Sequence, residues 1–426
     1  MRTYPFPLDL VRERSPERPV ALVRPRSVSV AARWFQDNLN ADVFYAVKAN
    51  PSRWVIETLV EAGVTGFDVA SMSEIELVRS VSADARLAFM HPVKSRGAIT
   101  RAYFEHGVRT FALDSHDELQ KILDATGGAR DLNLLVRMTV SADGAAYSLS
   151  GKFGVSIDLA PSLLLATRQA VIDGLMGVCF HVGSQCMRPS AYEAAMAQVG
   201  RAISRAGVFV DIVDVGGGFP SVYPGMVPPD MSEYADAIHR GFNEMPVSET
   251  TELWCEPGRA LVAESSSVLC RVDLRKGDAL YLNDGSYGSL FDATHSRWPF
   301  PTKLVRPDSI HGGESSGDLK PFRFYGPTCD SIDHMPGPFW LPADVQEGDF
   351  IEIGMLGAYG VAMSTGFNGY GEHDLAGVED APMASLYGLA PRSIPTVRTT
   401  AEETARKVVR LSRPKGKAGQ RKKSRR

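Results

Sequence analysis

Five short segments put chemically capable side chains where a chain ordinarily turns. The first, Phe44-Tyr45-Ala46-Val47-Lys48-Ala49-Asn50-Pro51, is an apolar run ending in a lysine and a turn. A lysine aimed into the mouth of a closed sheet is desolvated, which disfavours its charged form and lowers its pKa. A neutral amine can attack an aldehyde and form a Schiff base. The plainer alternative is a surface lysine with its stem along a rim. The second segment is Asp214-Val215-Gly216-Gly217-Gly218-Phe219-Pro220. Glycines after an apolar run let backbone N–H groups approach a phosphate closely. The spacing is not that of a dinucleotide fingerprint, and a tight structural turn would use the same residues.

The third segment is Glu256-Pro257-Gly258-Arg259. Arg259 offers a forked cation suited to phosphate. Glu256 suits a heterocyclic nitrogen, whose protonated form a carboxylate stabilises. A capped turn with a surface ion pair is the alternative. The fourth, His181-Val182-Gly183-Ser184-Gln185, comes directly after an apolar run. Its imidazole can stack on a flat ring and its hydroxyl can bind phosphate, although a lone histidine is more often structural. The fifth is Gly326-Pro327-Thr328-Cys329-Asp330-Ser331. Here a thiol can donate a proton and an aspartate can meet a cationic substrate; a buried thiol and a turn aspartate are the alternatives. Together the five supply an amine, a phosphate cradle, a ring-nitrogen partner, a stacking group and an acid. Those are the parts of a pyridoxal-phosphate α-decarboxylase.

The elements that must position these residues are readable as alternation. ADVFYAVKAN, GFDVAS, ARLAFMHP, TFALDS, NLLVRMTV, GVCFHVGS, DIVDVGGGFP and TELWCEPGR read as eight strands. Between them lie patterns of helical period such as SRWVIETLVEAG and DELQKILDAT. Alternation argues for parallel strands, and eight favour a closed (β/α)8 TIM barrel with its active site at the C-terminal strand ends. After Ala263, SSVLCRVDLRKGDALYLNDGSYG, FRFYGPTCDS, GDFIEIGMLGAYG and PMASLYGL predict a second, mainly β domain. The expected organisation is a barrel over 20–263, a β domain from 1–19 and 264–400, and a basic tail over 401–426.

Composition limits the function classes. The chain has 426 residues and a net charge of −4, so overall charge gives no case for nucleic acid. Arg413 to Arg426 carries 8 basic residues and no acid, which leaves the remainder near −12. Such a tail reads as a solvated end, or as an electrostatic contact for an acidic partner. The 5 cysteines show no C-x-x-C pair, so no metal site is expected and a reducing cytoplasm is. No signal peptide is predicted, and no apolar run approaches the roughly 20 residues of a membrane span.

The ordered set FYAVKANP, FDVAS, HVGSQ, DVGGGFP, EPGR, GPTCDS and GAYGVAMSTGFNGY resembles the fold-type III pyridoxal-phosphate decarboxylases, and among them the ornithine decarboxylases. The resemblance runs from about Pro19 to Leu389. It implies an alanine-racemase-like barrel and β domain, and a homodimer with shared sites. Lys48 would carry the cofactor, His181 would stack on it and Glu256 would pair with its ring nitrogen. Ser184, Gly217, Gly218, Gly258, Arg259 and Tyr359 would hold its phosphate. Asp68, Glu74 and Arg137 match pocket positions, and Lys152 matches a lysine in a similar Lys-Phe-Gly context. Cys329, as proton donor, and Asp330 would reach across from the partner subunit, with Phe367 closing the pocket from the same side and Tyr287 also near the substrate.

The activity so implied is carboxy-lyase chemistry on a basic amino acid, ornithine to putrescine first and lysine to cadaverine second. Diaminopimelate, a carboxylated polyamine or arginine are the alternatives, as is a catalytically silent homologue. Aspartate at 330 suits a distal ammonium. One departure stands out: the family's second acid, in a Tyr-Asp pair, aligns without gaps to Ser296, and Asp292 is the nearby substitute.

Overall fold

Strands buried on both faces are what a parallel sheet covered by helices requires. The computed structural model describes residues 1–141, 145–147 and 151–392. The basic tail lies outside them. Among the described residues, eight parallel strands form a ring: β1 (Asp42–Ala46), β2 (Gly66–Val69), β3 (Arg86–Phe89), β4 (Thr110–Leu113), β5 (Asn133–Thr139), β6 (Met176–Cys179), β7 (Ile212–Asp214) and β8 (Glu252–Cys255). Each pairs with the next, and β8 returns to β1. Strands β2, β4 and β6 are buried throughout.

Three successive helices begin on a serine cap, two of them, at Ser71 and Ser115, two residues after a strand. Ser71, Ser95 and Ser115 each accept the amide of the residue three positions on, satisfying an otherwise unpaired donor at the helix start. The starts of these helices are thereby fixed.

The barrel interior holds Phe44, Ala88, Met90, Ala112, Leu135, Cys179, Ile212 and Trp254. Phe44 stacks on Trp254 at 4.3 Å, and the Arg86 guanidinium covers both rings. The apolar floor also sets which side chains reach the mouth above it. Side chains alternate along a strand, so the residue two positions beyond an inward one also faces in. Leu135 thus leads to Arg137, Cys179 to His181, Ile212 to Asp214 and Trp254 to Glu256.

The second sheet is mixed and mainly antiparallel. Ser266–Lys276 is its longest strand, pairing with Ala279–Leu282, Phe350–Ile353 and Val20–Val23. Two expectations need correction. Val20–Val23, assigned by sequence to the barrel, lies between Ser266–Leu269 and Asp374–Gly377 in this sheet. A four-residue apolar run does not reveal which sheet buries it. PMASLYGL is not a strand: Leu386 donates its amide to Glu264 Oε1, and Tyr387 Oη donates to the Ala260 carbonyl. Its apolar residues belong to an irregular strap over the Arg259 helix.

Arg24 joins the two layers. It sits between Val20–Val23 and the helix Pro25–Asn38, which it opens. Its guanidinium contacts Glu352 at 2.8 Å and Asp380 at 2.7 Å, and both Arg24 and Glu352 are buried. Breaking a buried pair strands a charge, so Arg24→Ala should destabilise the protein by about 3–5 kcal/mol. Adding Glu352→Gln should recover part of that loss, as read from urea unfolding midpoints; no recovery would mean the stranded carboxylate is not the source of the loss.

Candidate active site

Lys48 sits in a single helical turn, Val47–Ala49, immediately after β1. Its Nζ donates to Asp68 Oδ2 at 2.8 Å, from the end of β2. The lysine side chain is 45% accessible and Asp68 only 1%, but the space that Lys48 reaches is the cavity at the barrel mouth. Burial works to lower its pKa; Asp68 and then Glu256 outweigh burial, and the ammonium is held above its ordinary value. The expectation of a lowered lysine pKa is therefore corrected. Desolvation alone supports it, but two strand ends bring carboxylates to the same point.

Glu256 and Asp214 are buried side by side at the ends of β8 and β7. Burial raises Glu256 well above the usual carboxylate range, and Asp214 and Asp68 raise it further. Asp214 is raised by burial too, although its Oδ1 accepts the Gly216 amide at 2.8 Å. Both carboxyls are thereby biased toward their protonated forms. Glu256 Oε1 is buried without a hydrogen-bond partner. His181 Nδ1 accepts the Gly183 amide at 2.9 Å, which leaves its proton on Nε2. Burial, then Arg137 and Lys48, push its pKa far down, so the ring is neutral.

A phosphate-sized cradle closes the other side. A Cβ on Gly217 would stand 2.7 Å from the Glu256 carbonyl oxygen, and Gly218 has φ +103°. Only glycine fits both demands. The buried Arg259 donates to Tyr223 Oη at 3.0 Å and to Ser184 Oγ at 3.3 Å. Its guanidinium lies 4.3 Å from the Trp298 ring and 5.0 Å from the Tyr359 ring.

The structure thus brings Lys48, Asp68, Arg137, Lys152, His181, Ser184, Gly217, Gly218, Glu256, Gly258, Arg259 and Tyr359 around one cavity of about 260 Å³. Glu74 is not among its walls. It caps its own helix, with Oε2 accepting the Ala70 amide at 2.6 Å. Cys329, Asp330, Tyr287 and Phe367 also stand apart from the cavity. They form a partly exposed plate in which Tyr287 Oη donates to Asp330 Oδ2 at 2.6 Å and the Tyr287 and Phe367 rings lie 4.8 Å apart. Asp292 joins neither Asp330 nor the plate; its carboxylate is 3.6 Å from Arg259 Nη2. Sequence reasoning missed His91, Phe153, Asp214 and Trp298. His91 and Phe153 line the cavity with rings 5.0 Å apart. The position of His91 directly after an apolar strand was the one signal that pointed to it.

Comparison with known proteins decides the family. The pyridoxal-dependent decarboxylase pyridoxal-binding domain matches residues 26–263, and the C-terminal sheet domain of such decarboxylases matches 171–357. The chain belongs to the pyridoxal-dependent decarboxylases. It is 31% identical to the lysine/ornithine decarboxylase of Selenomonas ruminantium over 78% of this chain and 81% of that one. It is 30% identical to ornithine decarboxylase of Mus musculus, over 83% and 79%. The arginine decarboxylase of Paramecium bursaria Chlorella virus, solved with agmatine, superposes with a TM-score of 0.76 at 26% identity, covering 87% of this chain and 98% of that one.

The cofactor of this family is pyridoxal 5'-phosphate, and the site fits it. Glu256 Oε1 and Arg259 Nε are buried without partners, and Gly217, Gly218 and Gly258 line the same cavity as Arg259. Bound there, the cofactor supplies an electron sink for carbanion chemistry. Among the described residues no helix is long and apolar enough to cross a membrane.

If Asp68 holds the Lys48 ammonium, Asp68→Asn should lower the Lys48 pKa, because burial is then opposed only by Glu256 and more distant groups. Labelling of the apo protein with an amine-selective reagent, with peptide mass spectrometry across pH, should show Lys48 reacting at lower pH in the variant. An unchanged profile would contradict the pairing.

Proposed function

We propose that the protein decarboxylates L-ornithine to putrescine, with lysine as a slower second substrate. The observation that carries the reading is Asp330. Its hydrogen bonds from Tyr287 and from the Ile332 amide hold it below the usual carboxylate range, so it is a fixed negative charge beside Cys329. A fixed carboxylate suits a distal ammonium and repels a distal carboxylate, which disfavours diaminopimelate. Lys48, Arg259 and Cys329 are all retained, which disfavours a silent homologue.

The proposal includes a homodimer. Ile332, Phe367 and Tyr370 are 54%, 44% and 44% exposed on and around the plate. Such a cluster beside charged groups suits a protein partner, and a second copy would carry Cys329 and Asp330 to the cavity of the first. In that arrangement Arg259, Ser184 and the glycines bind the phosphate. Glu256 and Asp214 hold the proton that keeps the ring nitrogen charged, and His181 orients the ring. The substrate carboxylate leaves as CO2, the Cys329 thiol returns a proton to Cα, and Asp330 fixes the far amine. An exposed working thiol suits a reducing cytoplasm.

Two experiments test this reading. CO2 release from cofactor-loaded protein with ornithine, lysine, arginine and diaminopimelate should be fastest with ornithine, and Lys48→Ala should abolish it. One methylene separates ornithine from lysine, so the preference should be about 10–200-fold; a preference for arginine would move the specificity away from Asp330. Separately, Lys48→Ala and Cys329→Ala proteins, each inactive or slow, should regain about a quarter of wild-type activity when mixed, because half of the random dimers then carry one intact site. No recovery would mean that the sites are not shared.

A further inference from the structure

The phosphate cradle contains a group that a phosphate site does not need. Asp292 lies in the short helix Phe291–His295, and its side chain is only 17% exposed. Its Oδ2 is 3.6 Å from Arg259 Nη2, the same nitrogen that donates to Ser184 Oγ at 3.3 Å. The other guanidinium nitrogen, Nη1, is taken by Tyr223 Oη. Trp298, Tyr359 and Tyr223 surround the guanidinium at 4.3, 5.0 and 5.9 Å. Aromatic faces favour the cation but bring no second charge that could neutralise an added anion.

We propose that Asp292 is a built-in counter-anion of the phosphate site, which holds Arg259 in the free protein and weakens the binding of phosphorylated cofactor. The proposal rests on the reading that Arg259 and Ser184 hold the cofactor phosphate. A cofactor phosphate brings about −1.5 to −2 charges at neutral pH. Two anions served by one arginine in a partly dry site repel each other, because the interaction is little screened there. Burial already raises Asp292 even though Arg259 pulls it down, so the carboxylate is not at ease before any phosphate arrives. The consequence is a cofactor held less tightly than the cradle would allow, and therefore one that exchanges with the free pool. This also gives Asp292 a role different from a substrate contact.

The test compares apo wild-type protein with Asp292→Asn, which keeps the shape, and Asp292→Ser, which is shorter. Each is titrated with pyridoxal 5'-phosphate and with pyridoxal, which lacks the phosphate, with affinity read from cofactor absorbance. Both variants should bind the phosphorylated form about 5- to 10-fold more tightly, the size of a weakly screened like-charge contact, with pyridoxal affinity unchanged. Unchanged or weaker binding of the phosphorylated form in both variants would overturn the proposal and make Asp292 a strut for Arg259. Wild-type protein that binds the two forms equally would instead remove the phosphate site, and the proposal with it.

Discussion

At the mouth of the barrel, Lys48 and Arg137 face three carboxylates, Asp68, Asp214 and Glu256, in a space with little water to screen them. Unpaired charges are costly in such a place, so each group fixes the state of the others. Lys48 stays charged because Asp68 touches it. Burial pushes both Glu256 and Asp214 up, and Asp214 and Asp68 push Glu256 further, although the hydrogen bond from Glu256 pulls Asp214 back down. His181 is neutral because the cations and burial leave it no alternative. The eight-stranded ring brings these groups to one point from several different strands, and its apolar floor of Phe44 and Trp254 closes the far end.

The chain also builds a second chemical surface in its β domain. Three loops are tied together beneath it. Asp333 accepts the Ser286 and Thr328 amides at 2.7 and 3.1 Å, and their hydroxyls at 3.0 and 2.7 Å. The buried Asp284 takes His373 Nε2 at 2.9 Å, and Thr365 donates its amide to the Tyr287 carbonyl. Burial pulls the His373 pKa down, but the hydrogen bond and attraction to Asp284, with the bond to the Gly371 carbonyl, outweigh it and leave the imidazole raised. The plate with Cys329 and Asp330 is thus as well supported as the cavity it stands apart from.

Much of this was legible in the sequence. The eight barrel strands were readable because each is an apolar run ending in a polar turn, and period-two alternation then fixes which residues face inward. Lys48, His181, Ser184, Glu256 and Arg259 were readable from their own segments, whereas Asp68, Arg137, Lys152 and Tyr359 were reached only through the family resemblance. What was not legible depends on distance between strands. The Lys48 pKa reads wrongly from its own segment, since Asp68 and Glu256 approach it only in the closed ring. Val20–Val23 and PMASLYGL carry apolar patterns that fit more than one burial. Glu74 sits in a capping motif, where its local role is fixed by Ala70 and Ser71 rather than by the pocket. Asp292 is close to Ser296 in sequence, but its helix turns it toward Arg259.

The central claim is that one lysine, Lys48, carries the cofactor among these charges. Borohydride reduction of the cofactor-loaded protein fixes the cofactor to whichever amine it bonds, and peptide mass spectrometry then locates it. The account predicts the phosphopyridoxyl mass on the peptide containing Lys48 and on no other. The same mass on Lys152, the other lysine lining the cavity, or on no lysine at all, would contradict it.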